Sequence, residues 1–142
     1  MADTYDAIVR SRVMRQVKSR NTSPEVMLRK ALRAEGIMGY RLHRKDIVGS
    51  PDLAFVKARI AVFVDGAWWH GHPAKWWKGR SGDYWDNKIQ RNMIRDRQVD
   101  ATLTNLGWTI VRIWDFEVLK TPELAVEKVR TALTSVRKPP AS

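Results

Sequence analysis

Cysteine is absent from this 142-residue chain, and histidine occurs only three times. Without thiols there is no disulfide scaffold, no Cys-based zinc site and no thiol nucleophile. No apolar run approaches the roughly 18 residues that a membrane span needs, and the N-terminus has no apolar signal core. Secretory and transmembrane readings therefore drop out. Acidic residues are scarce as well: 15 Asp and Glu face 26 Lys and Arg, a formal net charge of +11. Such an excess points to a polyanion, either nucleic acid or an anionic membrane surface, with a merely soluble basic protein as the plain alternative. What the chain does have is apolar content, 44% of residues with seven Trp, which argues against disorder. The length suits one domain with a core of its own.

Residues 1–20 form a basic segment. Arg10, Arg12, Arg15, Lys18 and Arg20 interleave with Val9, Val13, Met14 and Val17, the pattern of an amphipathic helix or of an arm that orders on its target. Thr22-x-x-Glu25 reads as a capping box, Pro24 falls in a first helical turn, and Gly36 is a C-terminal stop. Strands are expected at Tyr40 to His43, Leu53 to Val56 and Ile60 to Val64, the last an unbroken apolar run suited to a central strand. The short Lys57-Ala58-Arg59 link predicts an antiparallel hairpin. Ala67 to Gly82 reads as an ordered loop, Asp83 to Leu106 as a long helix stopped by Gly107, and Trp108 to Trp114 as a strand. A last helix opens at Thr121-Pro122-Glu123. The whole reads as one mixed-sheet α/β domain over 21–136, with a frayed tail at 137–142.

Chemistry is expected at the strand ends. Asp52 opens one strand of the hairpin and Asp65 closes the other, so their carboxylates could converge as the hard oxygen ligands that Mg²⁺ requires. Each is equally explained as a turn former beside Pro or Gly. His70 lies in the loop next to them, placed to take a proton from an attacking water or simply stacked among aromatics. On a helical wheel Trp85, Ile89, Met93, Val99 and Leu103 form one stripe with Asp96 in its middle. An inward carboxylate must find a partner, and a loop His would serve, although a structural ion pair fits too. Asp100 lies close to the same stripe. Trp68-Trp69 and Trp76-Trp77 sit in the Gly-containing loop, where aromatics among cations stack on bases; Trp108 and Trp114 belong to the core. Lys88, Arg91 and Arg95 would make a cationic ridge for phosphates, or an ordinary solvated face.

In order, Arg12-Val-Met-Arg, Thr22-x-x-Glu25, Gly49-Ser-Pro-Asp-Leu, Val62-Phe-Val-Asp-Gly-Ala-Trp-Trp-His-Gly-His-Pro, Tyr84-Trp-x-x-Lys-Ile-x-x-Asn, Arg95-Asp-Arg and Leu106-Gly-Trp-x-x-x-Arg-Ile-Trp make a specific set. Together they resemble the very-short-patch repair (Vsr) DNA mismatch endonucleases of the PD-(D/E)-x-K superfamily. The resemblance implies a restriction-endonuclease-like α/β fold, a central mixed sheet flanked by helices. It implies a Mg²⁺-dependent endonuclease that nicks one strand of duplex DNA beside a T·G mismatch, the lesion left by deamination of 5-methylcytosine. Asp52 and the backbone carbonyl of Val64 match the Mg²⁺ ligands. His70 matches the general base, Asp96 the acid that orients it, and Glu25 an active-site Glu. Trp68, Trp69 and Trp85 match aromatics inserted into DNA, Met14 a wedge from the opposite groove, and Lys88 a basic residue near the mismatch.

Two departures stand out. The family's structural zinc falls on Ala67, His72, Ala74 and Phe116 here, so zinc is expected to be absent, with Trp76, Trp77 and Phe116 packed in its place. The superfamily Lys is also missing, because Asp65-x-Ala67 stands where (D/E)-x-K would; a His-based reaction accommodates that. The implied setting is a monomer in the bacterial cytoplasm, at the nucleoid, linked to a DNA cytosine methyltransferase and to mismatch-repair partners. The rival from the same fold is a nuclease of unmismatched or structured DNA, such as a restriction-type endonuclease. A decayed DNA-binding module would need Asp52, His70 or Asp96 lost, and all three are present.

Overall fold

The computed structural model describes residues 22–137. The basic segment 1–20 with Met14, and the tail after Arg137, lie outside the described residues. Helix α1 (Ser23–Ala34) begins with Pro24 in its first turn and an extended Thr22 before it. The capping box expected there does not form: Thr22 makes no side-chain cap, and Glu25 is buried instead of folding back on the helix end. At the other end Gly36 takes φ +73°, and Ile37 N–H reaches back to the Leu32 carbonyl, satisfying the last turn.

Four strands follow in the spatial order β1 (Arg41–Leu42), β2 (Leu53–Phe55), β3 (Ile60–Asp65) and β4 (Thr109–Trp114). The β2–β3 pair is the expected antiparallel hairpin, with Leu53 opposite Val62. Between β3 and β4 the chain crosses through α2 (Asp83–Asn105), so this pair is parallel and places Asp65 beside Trp114. Strand β3 is buried on both faces, as its unbroken apolar run requires. One face packs Leu53, Ile60, Val62, Val111 and Ile113 against Leu28 and Leu32 of α1 and the apolar stripe of the last helix, α4 (Pro122–Arg137). The other face packs Ala54, Ala61 and Phe63 against Leu103 and Val99 of α2.

Four elements differ from the sequence expectation. Strand β1 is only two residues long and β4 starts at Thr109. A short helix, α3 (Asp115–Lys120), caps β4: Glu117 accepts the Trp114 N–H and is in turn bound by Lys128, a tertiary contact invisible to local periodicity. Arg137, assigned to the tail, still belongs to α4. Among the described residues no helix is long and apolar enough to cross a membrane.

Candidate active site

The hairpin delivers the first acid. Asp52 sits just before β2, and its Oδ2 accepts the backbone N–H of Val64 at 2.6 Å, tying it to the end of β3. Glu25 arrives from α1, buried at 2% exposure, with the His43 Nε2 at 3.5 Å and an Arg29 Nη at 4.0 Å from its Oε2. The ligand atoms of Glu25, His43 and Asp52 all lie within 4.8 Å of one another. Burial, and then the charge and hydrogen bonding of Glu25, push the Asp52 carboxyl up to about 8 against the opposing Val64 N–H. A buried and a half-buried carboxyl forced together in this way fit a divalent cation with oxygen ligands.

The second cluster is built on the loop after β3. His70 Nδ1 lies 2.5 Å from Asp96 Oδ2 across to α2, so the inward carboxylate of the helical stripe finds a loop histidine. On the other ring nitrogen, Nε2 stands 3.9 Å from Asp65 Oδ1. Burial disfavours the imidazolium, but the Asp96 hydrogen bond and the Asp65 and Asp96 charges outweigh it and hold the His70 pKa above the ordinary value. Asp65 does not join Asp52 as an open ligand. It takes a two-pronged contact from Arg112 Nη1 at 2.9 and 3.1 Å, while Arg112 Nε and Nη2 hold Asp100. The guanidinium also lies over the Phe63 ring at 4.3 Å. Both clusters open on one cleft of about 770 Å³, which Val64, Trp69, Asn92 and Arg95 also line.

Behind Trp69 at the cleft edge, Trp68 and Trp85 complete a cluster of edge-on and tilted rings, with centroids 5.0 to 5.6 Å apart. Lys88 Nζ lies 5.0 Å over Trp69 and 5.7 Å over Trp85. Asn92 donates to the Trp69 carbonyl at 3.1 Å and fixes the loop to α2. Arg91 is not brought to the cleft; it faces a separate shallow groove with Tyr84, Asn87 and Ile94.

The family described as DNA mismatch endonuclease Vsr matches residues 2–76. The chain belongs to the Vsr family. It is 40% identical over 127 residues to the type II nicking enzyme V.NmeDIP of Neisseria meningitidis serogroup C, covering 87% of this chain and 85% of that protein. It is 40% identical over 119 residues to the type II nicking enzyme V.HpaIIP of Haemophilus parainfluenzae, covering 82% and 84%. To the DNA mismatch endonuclease Vsr of Escherichia coli K12 it is 32% identical over 122 residues, covering 81% and 74%. The mixed four-stranded sheet with flanking helices is the restriction-endonuclease-like α/β fold, and the protein is an endodeoxyribonuclease.

In this Vsr member the residues at the family's zinc positions do not fit zinc. Ala67, Ala74 and Phe116 offer no ligand atom, and His72 Nδ1 already accepts the Ala74 N–H. The His72 ring packs edge-on against Trp114 and Phe116, so aromatic contacts tie the loop to β4 and α3. Trp76 and Trp77 do not join that cluster as expected. Trp76 is buried and donates to Asp86 Oδ1 at 3.1 Å, whereas Trp77 is 55% exposed. The asymmetry comes from Asp86, which binds Trp76 and the Gly79 N–H together.

Sequence reasoning missed Arg112, Asn92 and His43. Arg112 carried a signal, a cation inside an otherwise apolar strand, and the parallel register opposite Phe63 explains its aim into the site. Asn92 stood in a quoted motif without a role. His43 carried none beyond its type; its backbone takes φ +49°, which no pattern announces. One glycine is needed on steric grounds beside His70. Gly71 has φ +71°, and a Cβ there would collide with the Met93 thioether. Gly71→Ala is expected to cost about 1–3 kcal/mol and to weaken nicking through the displaced His70. Thermal denaturation alongside single-turnover nicking reads both; a stable, fully active variant contradicts it.

Proposed function

We propose that this endonuclease nicks one strand of duplex DNA beside a T·G mismatch, in repair of deaminated 5-methylcytosine. The observation that carries the reading is the His70–Asp96 pair facing the Asp52–Glu25 carboxyls across one cleft beside three clustered Trp rings. Asp52 and the Val64 carbonyl would hold Mg²⁺, with Glu25 alongside. Bound there, the ion supplies Lewis-acid polarisation of the scissile phosphate and neutralises its developing charge. His70, held in one tautomer by Asp96, takes a proton from the attacking water. Cleavage leaves a 3′-hydroxyl and a 5′-phosphate. Trp68, Trp69 and Trp85 enter the stack where a mismatch makes opening cheapest. Lys88, Arg91 and Arg95 engage phosphates, and the basic arm 1–20 with Met14 reaches the opposite groove.

On this reading residues 21–136 are the nuclease domain, acting as a monomer at the nucleoid in the bacterial cytoplasm. A cytosine methyltransferase creates the lesion's precursor, and mismatch-repair proteins are the downstream partners. The deciding assay is nicking of matched, T·G and other mismatched duplexes with Mg²⁺ or EDTA. Nicking confined to T·G with Mg²⁺ is expected. Equal cleavage of matched duplex would instead favour a restriction-type activity on unmismatched DNA, which the type II nicking names of V.NmeDIP and V.HpaIIP keep in play.

The tryptophans make a separate forecast. Trp68→Ala and Trp69→Ala should weaken T·G duplex binding by about 1–3 kcal/mol per lost stack. Matched-duplex binding rests on phosphate contacts and should change little. Equal loss on both duplexes with a lowered melting temperature would assign the rings to packing alone.

A further inference from the structure

The Trp76-Trp77 pair is left over from the reading above, and the two rings have opposite fates. Trp76 is the anchor: it is buried, and its Nε1–H donates to Asp86. Asp86 also accepts the Gly79 N–H at 2.7 Å, so one buried carboxylate clamps both sides of the 76–80 turn. Trp77, between the clamped positions, is 55% exposed. The Arg80 guanidinium stacks 4.9 Å from its ring, and Arg80 donates back to the Lys75 carbonyl, which fixes the pair. Nothing acidic occurs from Ala67 to Gly82, whereas Lys75, Lys78 and Arg80 all lie on this turn.

An exposed Trp costs solvation, and the stacked guanidinium beside it, with one donor spent on the Lys75 carbonyl, keeps its remaining donors for an anion. Rigid, cationic and aromatic together is the chemistry of a nucleic-acid platform, because phosphates take the charge and a sugar or base face takes the ring. The turn is also joined to the tryptophan cluster. Asp86, its clamp, directly follows Trp85, and exposed Tyr84 packs on Trp85 at 5.0 Å. Consecutive residues of α2 therefore support the rings at the cleft and the turn beyond it.

We infer that Trp77 and Arg80 form a second DNA contact, outside the reaction cleft, which grips the duplex flank through its backbone rather than reading the mismatch. It rests on the proposed DNA-nicking reading but not on mismatch selectivity. The test is equilibrium binding of fluorescein-labelled matched and T·G duplexes, each long and each truncated on either flank, to the full chain. Trp77→Ala and Arg80→Ala should weaken binding to both long duplexes about tenfold. The loss should vanish on duplexes trimmed on one particular flank. Arg80→Ala should also lower the log–log salt slope by about one, and Trp77→Phe should restore most of the affinity. Single-turnover nicking at saturating protein should stay unchanged.

Unchanged affinity of Trp77→Ala on every duplex, or a lowered melting temperature with affinity intact, would overturn the second contact. So would a loss restricted to T·G duplex, since a backbone grip is blind to the mismatch. The two readings fail separately. Wild-type protein that nicks matched and T·G duplex alike removes the mismatch reading while the Trp77 effect can persist, and selective nicking with a silent Trp77→Ala removes only the second contact.

Discussion

Asp52→Ala is expected to abolish nicking, by on the order of 10³-fold or more, while duplex affinity should stay within about twofold. The size follows from what the carboxylate would do: a metal at a scissile phosphate is worth several kcal/mol of transition-state charge stabilisation. DNA affinity rests instead on the cationic surface, which the substitution leaves alone. The same residue makes a stability forecast that runs the other way. Its folded pKa, about 8, lies far above the ordinary 3.8, so the folded state holds a proton that the unfolded chain releases. For this group stability is fully present below the ordinary value and is lost as pH rises through about 8. Metal-free protein should therefore weaken between mildly acid and mildly alkaline pH, and a divalent cation should offset the loss. Asp52→Asn should flatten that slope, measured by thermal denaturation in EDTA. Activity retained in Asp52→Ala would remove Asp52 from the metal site, and a slope unchanged in Asp52→Asn would remove Asp52 as the source of the pH dependence.

Much of this arrangement was legible because each strand and helix is patterned locally. The apolar run Ile60 to Val64 demanded a doubly buried strand, and the hairpin link fixed its neighbour's direction. The wheel position of Asp96 demanded a partner, which His70 supplies. What escaped depends on contacts between distant segments. Local spacing makes Glu25 a cap and only the family resemblance makes it an active-site Glu, because its carboxyl is drawn to Asp52, 27 positions on by the numbering, in the packed structure. Arg112 answers Asp65 and Asp100 from a third element, and no window of sequence contains all three. In helix α3 the Glu117 that accepts the Trp114 N–H is also held by Lys128 from α4. The different fates of Trp76 and Trp77 hang on Asp86 in α2.

His70 and Asp96 should separate by both magnitude and pH. His70→Ala removes the group that would take the water's proton and should lower the single-turnover rate by about 10²–10⁴-fold. Asp96→Asn keeps a hydrogen-bonding side chain near Nδ1 but loses its charge, so the loss should be smaller, and the pH profile should move. A general base works only when neutral. The hydrogen bond to Asp96 and the Asp65 and Asp96 charges let His70 hold its proton to higher pH than an ordinary histidine, so the acid limb of the wild-type rate should lie at correspondingly high pH. The Asp96 hydrogen bond and charge both raise that pKa, so Asp96→Asn should shift the limb to lower pH while the plateau falls. Arg112 opposes them, through its charge, from β4. Rates for wild type and Asp96→Asn are to be taken in the same saturating metal, so that any effect of the ion on His70 is common to both. A limb that stays put in Asp96→Asn would make Asp96 a packing residue. A pH profile unchanged in His70→Ala would assign the proton transfer to another group.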